Sequence, residues 1–137
     1  MQCINTETIL GIVYQGVNWK EDRLSSLSIL PWMDGYEDNL PKDVSANTTA
    51  EAQVAAAKKT LEDAGYELGS DGYYAKEGKQ VAFGFTTIGD SNVTKNRAAA
   101  IQKMAKDAGM NITIDNKPSS DFSKTLVGGQ WDVFLLG

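Results

Sequence analysis

Apolar residues change their spacing along the chain, and each change of spacing predicts a different element. Ile4, Ile9, Ile12 and Val13 recur at near-helical intervals from the first residues. No capping Ser, Thr, Asp or Asn is read ahead of them, so the chain is expected to begin inside a helix whose upstream part has been removed. Residues 16–47 then lose all period. They hold Gly16, Pro31, Gly35 and Pro41, an acidic turn at Asp34-Gly35-Tyr36-Glu37-Asp38, and the scattered aromatics Trp19, Trp32 and Tyr36. Such a stretch predicts a long loop that wraps the domain or packs on a neighbour.

Helical spacing returns at residue 48. Thr48 and Glu51 are spaced as a capping box, Val54, Ala57 and Leu61 form a stripe, and Gly65 supplies the stop. Asp71-Gly72 and Gly78 then punctuate a short hairpin around Tyr73 and Tyr74. From Val81 the period becomes two, with Val81, Phe83 and Phe85 on one face of a strand. The loop Gly89-Asp90-Ser91-Asn92 leads into a helix carrying Ala98, Ile101, Met104, Ala105 and Ala108, closed by Gly109. Ile112 and Ile114 mark a second strand; Ser119 or Ser120 is expected to cap a helix holding Phe122 and Leu126, which Gly128-Gly129 end.

The last strand, Val133 to Leu136, is apolar at every position. That pattern predicts a central strand covered by helices on both faces. The order is β-α-β-α-β, which specifies an α/β fold with a mainly parallel sheet and right-handed crossovers. In such sheets ligands bind beyond the carboxyl ends of the strands. Gly137 follows the last strand, where a binding loop is expected to begin.

Composition narrows the function. At 137 residues, 42% hydrophobic and 23% charged, the chain has the size and make-up of one globular domain. A net charge of −5 argues against nucleic acid, which calls for a clustered basic face. The absence of histidine removes the commonest general base and the commonest metal ligand. A single cysteine, Cys3, forms no intrachain disulfide or Cys-rich zinc site, and is expected as a small buried thiol in the first helix. No apolar run is long enough to cross a bilayer, and no signal peptide is read within these residues.

Candidate site residues lie at the strand ends. Backbone N–H groups of Gly89, Asp90, Ser91 and Asn92 stand at a helix start, where the dipole favours a ligand carboxylate; the same residues serve equally as a plain loop with an N-cap. Ser119 and Ser120 offer contact or simple capping at the same edge. Leu135 reads as core, and Gly137 as a place where backbone approaches ligand closely. Trp131-Asp132 reads as a structural turn, the Trp packing and the Asp bonding backbone. The acidic cluster at residues 34–38 lacks calcium-loop spacing and reads as a solvated surface. The sequons at Asn47, Asn92 and Asn111 carry no meaning for a bacterial chain. With no nucleophile elbow, zinc-protease helix or kinase signature, neither an enzyme nor a cofactor is expected.

Five segments in order resemble the family 5 bacterial extracellular solute-binding proteins. Cys3 to Ile9 is similar to the family's early helix motif Ala-Ile-Asn/Asp-Arg-Glu-x-Ile, departing at Cys3 and Thr6. Ala56-Lys58-Lys59-Leu61-Ala64-Gly65-Tyr66 resembles its AKKLLxEAGY helix end. Asp71-Gly72 with Lys76-Glu77-Gly78-Lys79, Ala108 to Ile112, and Phe122 to Leu136 resemble its DG…KDGK, xGIxV and F…L..GxWDVFLLG stretches.

The resemblance spans nearly the whole chain and implies one lobe of a two-lobed (type II) periplasmic-binding-protein-like fold, residues 1–137, whose N-terminal lobe is missing. It further implies capture of a short peptide by hinge closure, delivery to ABC permease subunits, and a periplasmic or lipid-anchored location. In relatives the acidic residue that pairs with the peptide's amino terminus follows the glycine matching Gly137. Loss of Arg at position 6 is expected to affect lobe packing more than ligand choice, and the lack of histidine disfavours nickel. The alternative is a free-standing flavodoxin-like regulatory or nucleotide-binding module, which explains the second half of the pattern but not the first.

Overall fold

The computed structural model describes residues 3–13, 15 and 49–135. The expected wrapping loop at 16–47 with its acidic turn, and Gly137, lie outside the described residues. The first helix, α1 (Thr6–Val13), is capped after all. Asn5 Oδ1 accepts from the Thr8 N–H and from Thr8 Oγ1, both at 2.8 Å. Asn5 sits between two isoleucines of the apolar run, which hides it as a start signal. Cys3 is buried as expected, but in the turn before α1 rather than within the helix. Asn5 is buried too, donating from Nδ2 to Gln53 Oε1 at 2.9 Å and from its backbone to Met104 Sδ at 3.3 Å.

Helix α2 (Ala50–Asp63) takes Thr49 as its cap, one residue beyond the expected Thr48: Thr49 Oγ1 accepts from the Ala52 N–H at 3.2 Å. Glu51 therefore falls one position short of a capping box. The helix ends in a paired reversal, with Gly65 N–H donating to the Glu62 carbonyl at 2.9 Å and Tyr66 N–H to that of Leu61 at 3.0 Å. A small antiparallel meander follows: β1 (Glu67–Leu68), β2 (Tyr74–Lys76) and β3 (Lys79–Gln80). Glu77 and Gly78, both at positive φ, make the two-residue hairpin turn whose twist matches its strands.

Tyr74 fastens this meander to the rest. Its N–H donates to the Gly109 carbonyl at 2.8 Å, and its hydroxyl donates to Glu62 Oε1 at 2.6 Å. Gly109 has φ +78°, and a Cβ there would stand 2.5 Å from the Tyr74 ring, so both backbone and packing require glycine.

The main sheet contains β4 (Ala82–Ile88), β5 (Asn111–Lys117) and β6 (Val133–Leu135), linked by α3 (Asn92–Asp107) and α4 (Phe122–Gly128). All pairs are parallel and the order is β5-β4-β6. β4 is thus the central strand among those described, and β6, expected there, lies at an edge with its three residues half-buried. Because one connection leads from β4 to β5 and the next crosses back to β6, right-handed crossovers put α3 and α4 on opposite faces.

The α3 face holds the core. Phe85 and Ile112 pack on Ala98 and Ala105, flanked by Phe83, Ile114, Val133 and Leu135. Small alanines let the helix sit close to the strands. Asp132 bonds backbone as its position predicts: Oδ2 accepts from the Gly84 N–H at 2.7 Å, just ahead of the Phe85–Val133 pair. Trp131 tilts against Phe134 with ring centroids 5.5 Å apart.

Neither Ser119 nor Ser120 caps α4. Ser119–Asp121 form a 3-10 turn opened by Pro118, and Asp121 takes the cap position without any side-chain capping bond. Proline fixes the entry into that turn, so the serines fall inside it rather than at the cap position of α4. No residue of α4 is buried.

Candidate functional site

The carboxyl ends of β4, β5 and β6 share one edge of the sheet. Ile88 pairs with Lys117 as the last rung, and the Gly89 N–H then donates to the Lys117 carbonyl at 3.0 Å. That bond brings the loop at 89–92 beside the turn at 118–121, so six of the seven residues expected at a site are gathered at one place. Gly137, the seventh, lies outside the described residues.

Their roles differ. Ser91 caps α3, accepting from the Thr94 N–H at 3.2 Å while its hydroxyl meets Thr94 Oγ1 at 3.0 Å. The Ser91 hydroxyl is therefore already engaged, as is its carbonyl, which accepts from the Lys95 N–H at 3.2 Å. Gly89 holds φ +125°, a conformation that admits glycine with ease. Asp90, Asn92, Ser119 and Ser120 are exposed. Leu135 packs against the α3-face core, as expected.

Behind this edge lie polar side chains that sequence reasoning passed over. Thr86, Thr87 and Thr94 are 3%, 0% and 5% exposed. Thr87 Oγ1 donates to Asn116 Oδ1 at 2.6 Å, a cross-strand pair on the α3 face. Thr86 points to the other face and lines a recess of about 450 Å³ beneath α4, together with Asp115, Lys117, Asp121, Lys124 and Thr125. Lys117 Nζ pairs with Asp115 Oδ2 at 3.0 Å. The available signal was the Thr86-Thr87 pair, which interrupts an otherwise apolar strand end two residues before Gly89.

This arrangement is suited to binding. Burial raises the pKa of the Cys3 thiol, which keeps it protonated and unreactive. Among the described residues no group of three His, Cys, Asp or Glu side chains converges, and no helix is long and apolar enough to cross a membrane.

Solved structures place the fold. The oligopeptide-binding protein AppA from Bacillus subtilis, in complex with a nonapeptide, is similar at TM-score 0.75 and 17% identity, over 98% of this chain and 26% of that one. NikA from Brucella suis, in complex with Fe(III)-EDTA, is similar at TM-score 0.69 and 19% identity, over 97% of this chain and 25% of that one. The oligopeptide-binding protein OppA gives TM-score 0.67 and 22% identity over 97% and 20%. The fold is periplasmic-binding-protein-like, and the chain spans about a quarter or less of the length of these three proteins. No curated protein matched the chain.

The sequence model described as bacterial extracellular solute-binding proteins, family 5 (middle region), matches residues 2–137, and the chain belongs to that family. The family is one of substrate-binding proteins for transport rather than of enzymes.

Proposed function

We propose that this chain is one lobe of a two-lobed receptor that captures short peptides outside the cytoplasm and delivers them to an ABC permease. The observation that carries this reading is the single sheet edge where the Gly89–Asn92 and Pro118–Asp121 segments meet through the Gly89–Lys117 bond. Ligands of open α/β sheets bind beyond the carboxyl ends of the strands, and this edge is that place. The nonapeptide held by AppA and the absence of histidine here favour a peptide over a metal chelate.

In this reading residues 1–137 form the lobe, and the N-terminal lobe closes over the opposite side of the cleft. A peptide lying across the edge receives main-chain hydrogen bonds, with side-chain room left for varied residues. The N–H groups of Asp90, Ser91 and Asn92 at the start of α3 suit a carboxylate, while the exposed Ser119 and Ser120 hydroxyls suit peptide groups. Gly137 admits close backbone approach. The parent protein resides in the periplasm or is lipid-anchored at the cell surface.

Calorimetric titration of the two-lobed parent and of this chain with a mixed peptide library tests the reading. Saturable binding is expected from the parent, and weak binding or none from the chain. Tight saturable binding by the chain alone would overturn the half-cleft assignment.

A further inference from the structure

Two of the contacts that join the segment from Cys3 to Val13 to the body of the fold are unusual. Gln53 of α2 is 3% exposed, and its Nε2 donor has no hydrogen-bond partner. Its Oε1 accepts from Asn5 Nδ2 at 2.9 Å, so one half of this buried amide is satisfied and the other is dry. The Asn5 N–H reaches α3 by donating to Met104 Sδ at 3.3 Å, and a thioether sulfur is a weak acceptor. The helix that follows adds little hold of its own. α1 packs against α3, yet none of its eight residues is buried, and Gly11 lies within it. So short a helix interrupted by glycine is marginal without packing.

We infer that residues 3–13 form a strap, closed by an Asn5–Gln53 clasp, that opens as a unit while the parallel sheet and α3 stay folded. A buried donor without a partner is rare and unfavourable, and here the penalty lasts only while the clasp is closed. Once Asn5 lifts away, water reaches Gln53 Nε2 and the penalty disappears, which narrows the gap between closed and open states. Opening gives up the packing of Cys3 on Ala57 and Ala108. It leaves the larger cluster around Phe85 and Ile112 intact, because no residue of the strap belongs to it. Segments with few buried apolar contacts are those that open below the free energy of global unfolding. The strap also has something to uncover. Cys3 and Ile4 line an apolar recess of about 400 Å³ together with Ala57, Leu61, Phe83 and Met110, and opening removes that wall. All these groups belong to this chain, so the inference does not depend on the cleft shared with a second lobe.

Cys3 is the sole cysteine and is 2% exposed, so its thiol reports on the strap directly. The test is labelling of the folded chain by a small thiol reagent across urea concentrations below the unfolding transition. The labelling rate is expected to rise with urea at less than about one third of the slope of global unfolding, because that slope scales with the surface exposed. Exchange of the Ile9 amide, which donates to the Asn5 carbonyl, is expected to follow the same shallow dependence. Asn5→Ala removes cap and clasp together and is expected to speed labelling about tenfold. Met104→Leu keeps the volume, removes the sulfur acceptor and is expected to speed it about threefold. Labelling with the full slope of global unfolding, labelling as fast as an unstructured thiol, or folded variants that label no faster than the parent chain would each overturn the strap. Those failures leave the peptide-cleft reading untouched, because that reading is tested on the two-lobed parent.

Discussion

On the α3 face of the main sheet, Phe85 and Ile112 are buried against Ala98 and Ala105; on the α4 face, the same two strands present Gly84, Thr86, Asp115 and Lys117 to a helix with no buried residue. The strands are common to both faces, so the difference lies in what alternates along them. Odd positions of β4 are Phe83, Phe85 and Thr87, while its even positions begin with alanine, glycine and threonine. Apolar area removed from water, at about 25 cal/mol per Å², accumulates mainly on the first face, while on the second Ile88 is the buried large apolar residue of β4. Stability is concentrated where α3 packs, and the polar recess lies on the α4 side. The sheet thus separates holding the fold from offering a surface.

The sharpest way to break that comparison is Phe85→Ala. Phe85 is 3% exposed at the centre of the α3-face cluster, and truncation there is expected to cost about 3–5 kcal/mol in urea denaturation. A loss below about 1 kcal/mol would show that the α3 face is not the core.

A smaller effect tests the packed side at the meander. The Glu62 carboxylate accepting from Tyr74, and then burial, raise the phenol's pKa above its usual 10.0. The folded state holds this proton more tightly than the unfolded chain, so the contribution is fully present below pH 10.0 and is lost as pH rises through the folded value. Tyr74→Phe is expected to lower the denaturation midpoint modestly at neutral pH and to flatten the alkaline decline. An unchanged alkaline limb in the variant would remove Tyr74 from the account. Least of all is expected from Val127→Ser on the outer side of α4: the residue is 85% exposed, and the change should stay within about 0.5 kcal/mol.

Much of the parallel unit was legible because each element carries its own stop. Gly65 and Gly109 end their helices at positive φ, and Gly89 breaks the chain after β4, so the β-α-β-α-β order could be counted directly. Position within the sheet was not legible. Val133 to Leu136 look apolar on two sides, but in β6 Val133 and Leu135 serve the core while Phe134 meets Trp131, which gives a strand at the edge of the described sheet the signature of a central one. Caps were misjudged for a local reason. Thr48 and Thr49 are adjacent and chemically alike, Asn5 hides between isoleucines, and Pro118 turns Ser119 and Ser120 into a 3-10 segment, so backbone course rather than residue type decided each case. The strand-end placement of residues 89–92 and 119–120 could be read from the sequence because topology alone puts them at one edge. The recess was not, since bringing Thr86 near Lys124 depends on how far α4 stands from the sheet, a distance that no spacing in the sequence encodes.

The bond from Gly89 to Lys117 has a thermodynamic consequence. Loops that wander separately must each surrender their freedom when something settles on them, and that surrender weakens association. Here one rung stitches the two segments into a common rim, so much of the ordering has been done by the fold in advance. On the proposed reading, severing it should loosen the grip on a bound peptide and quicken its departure.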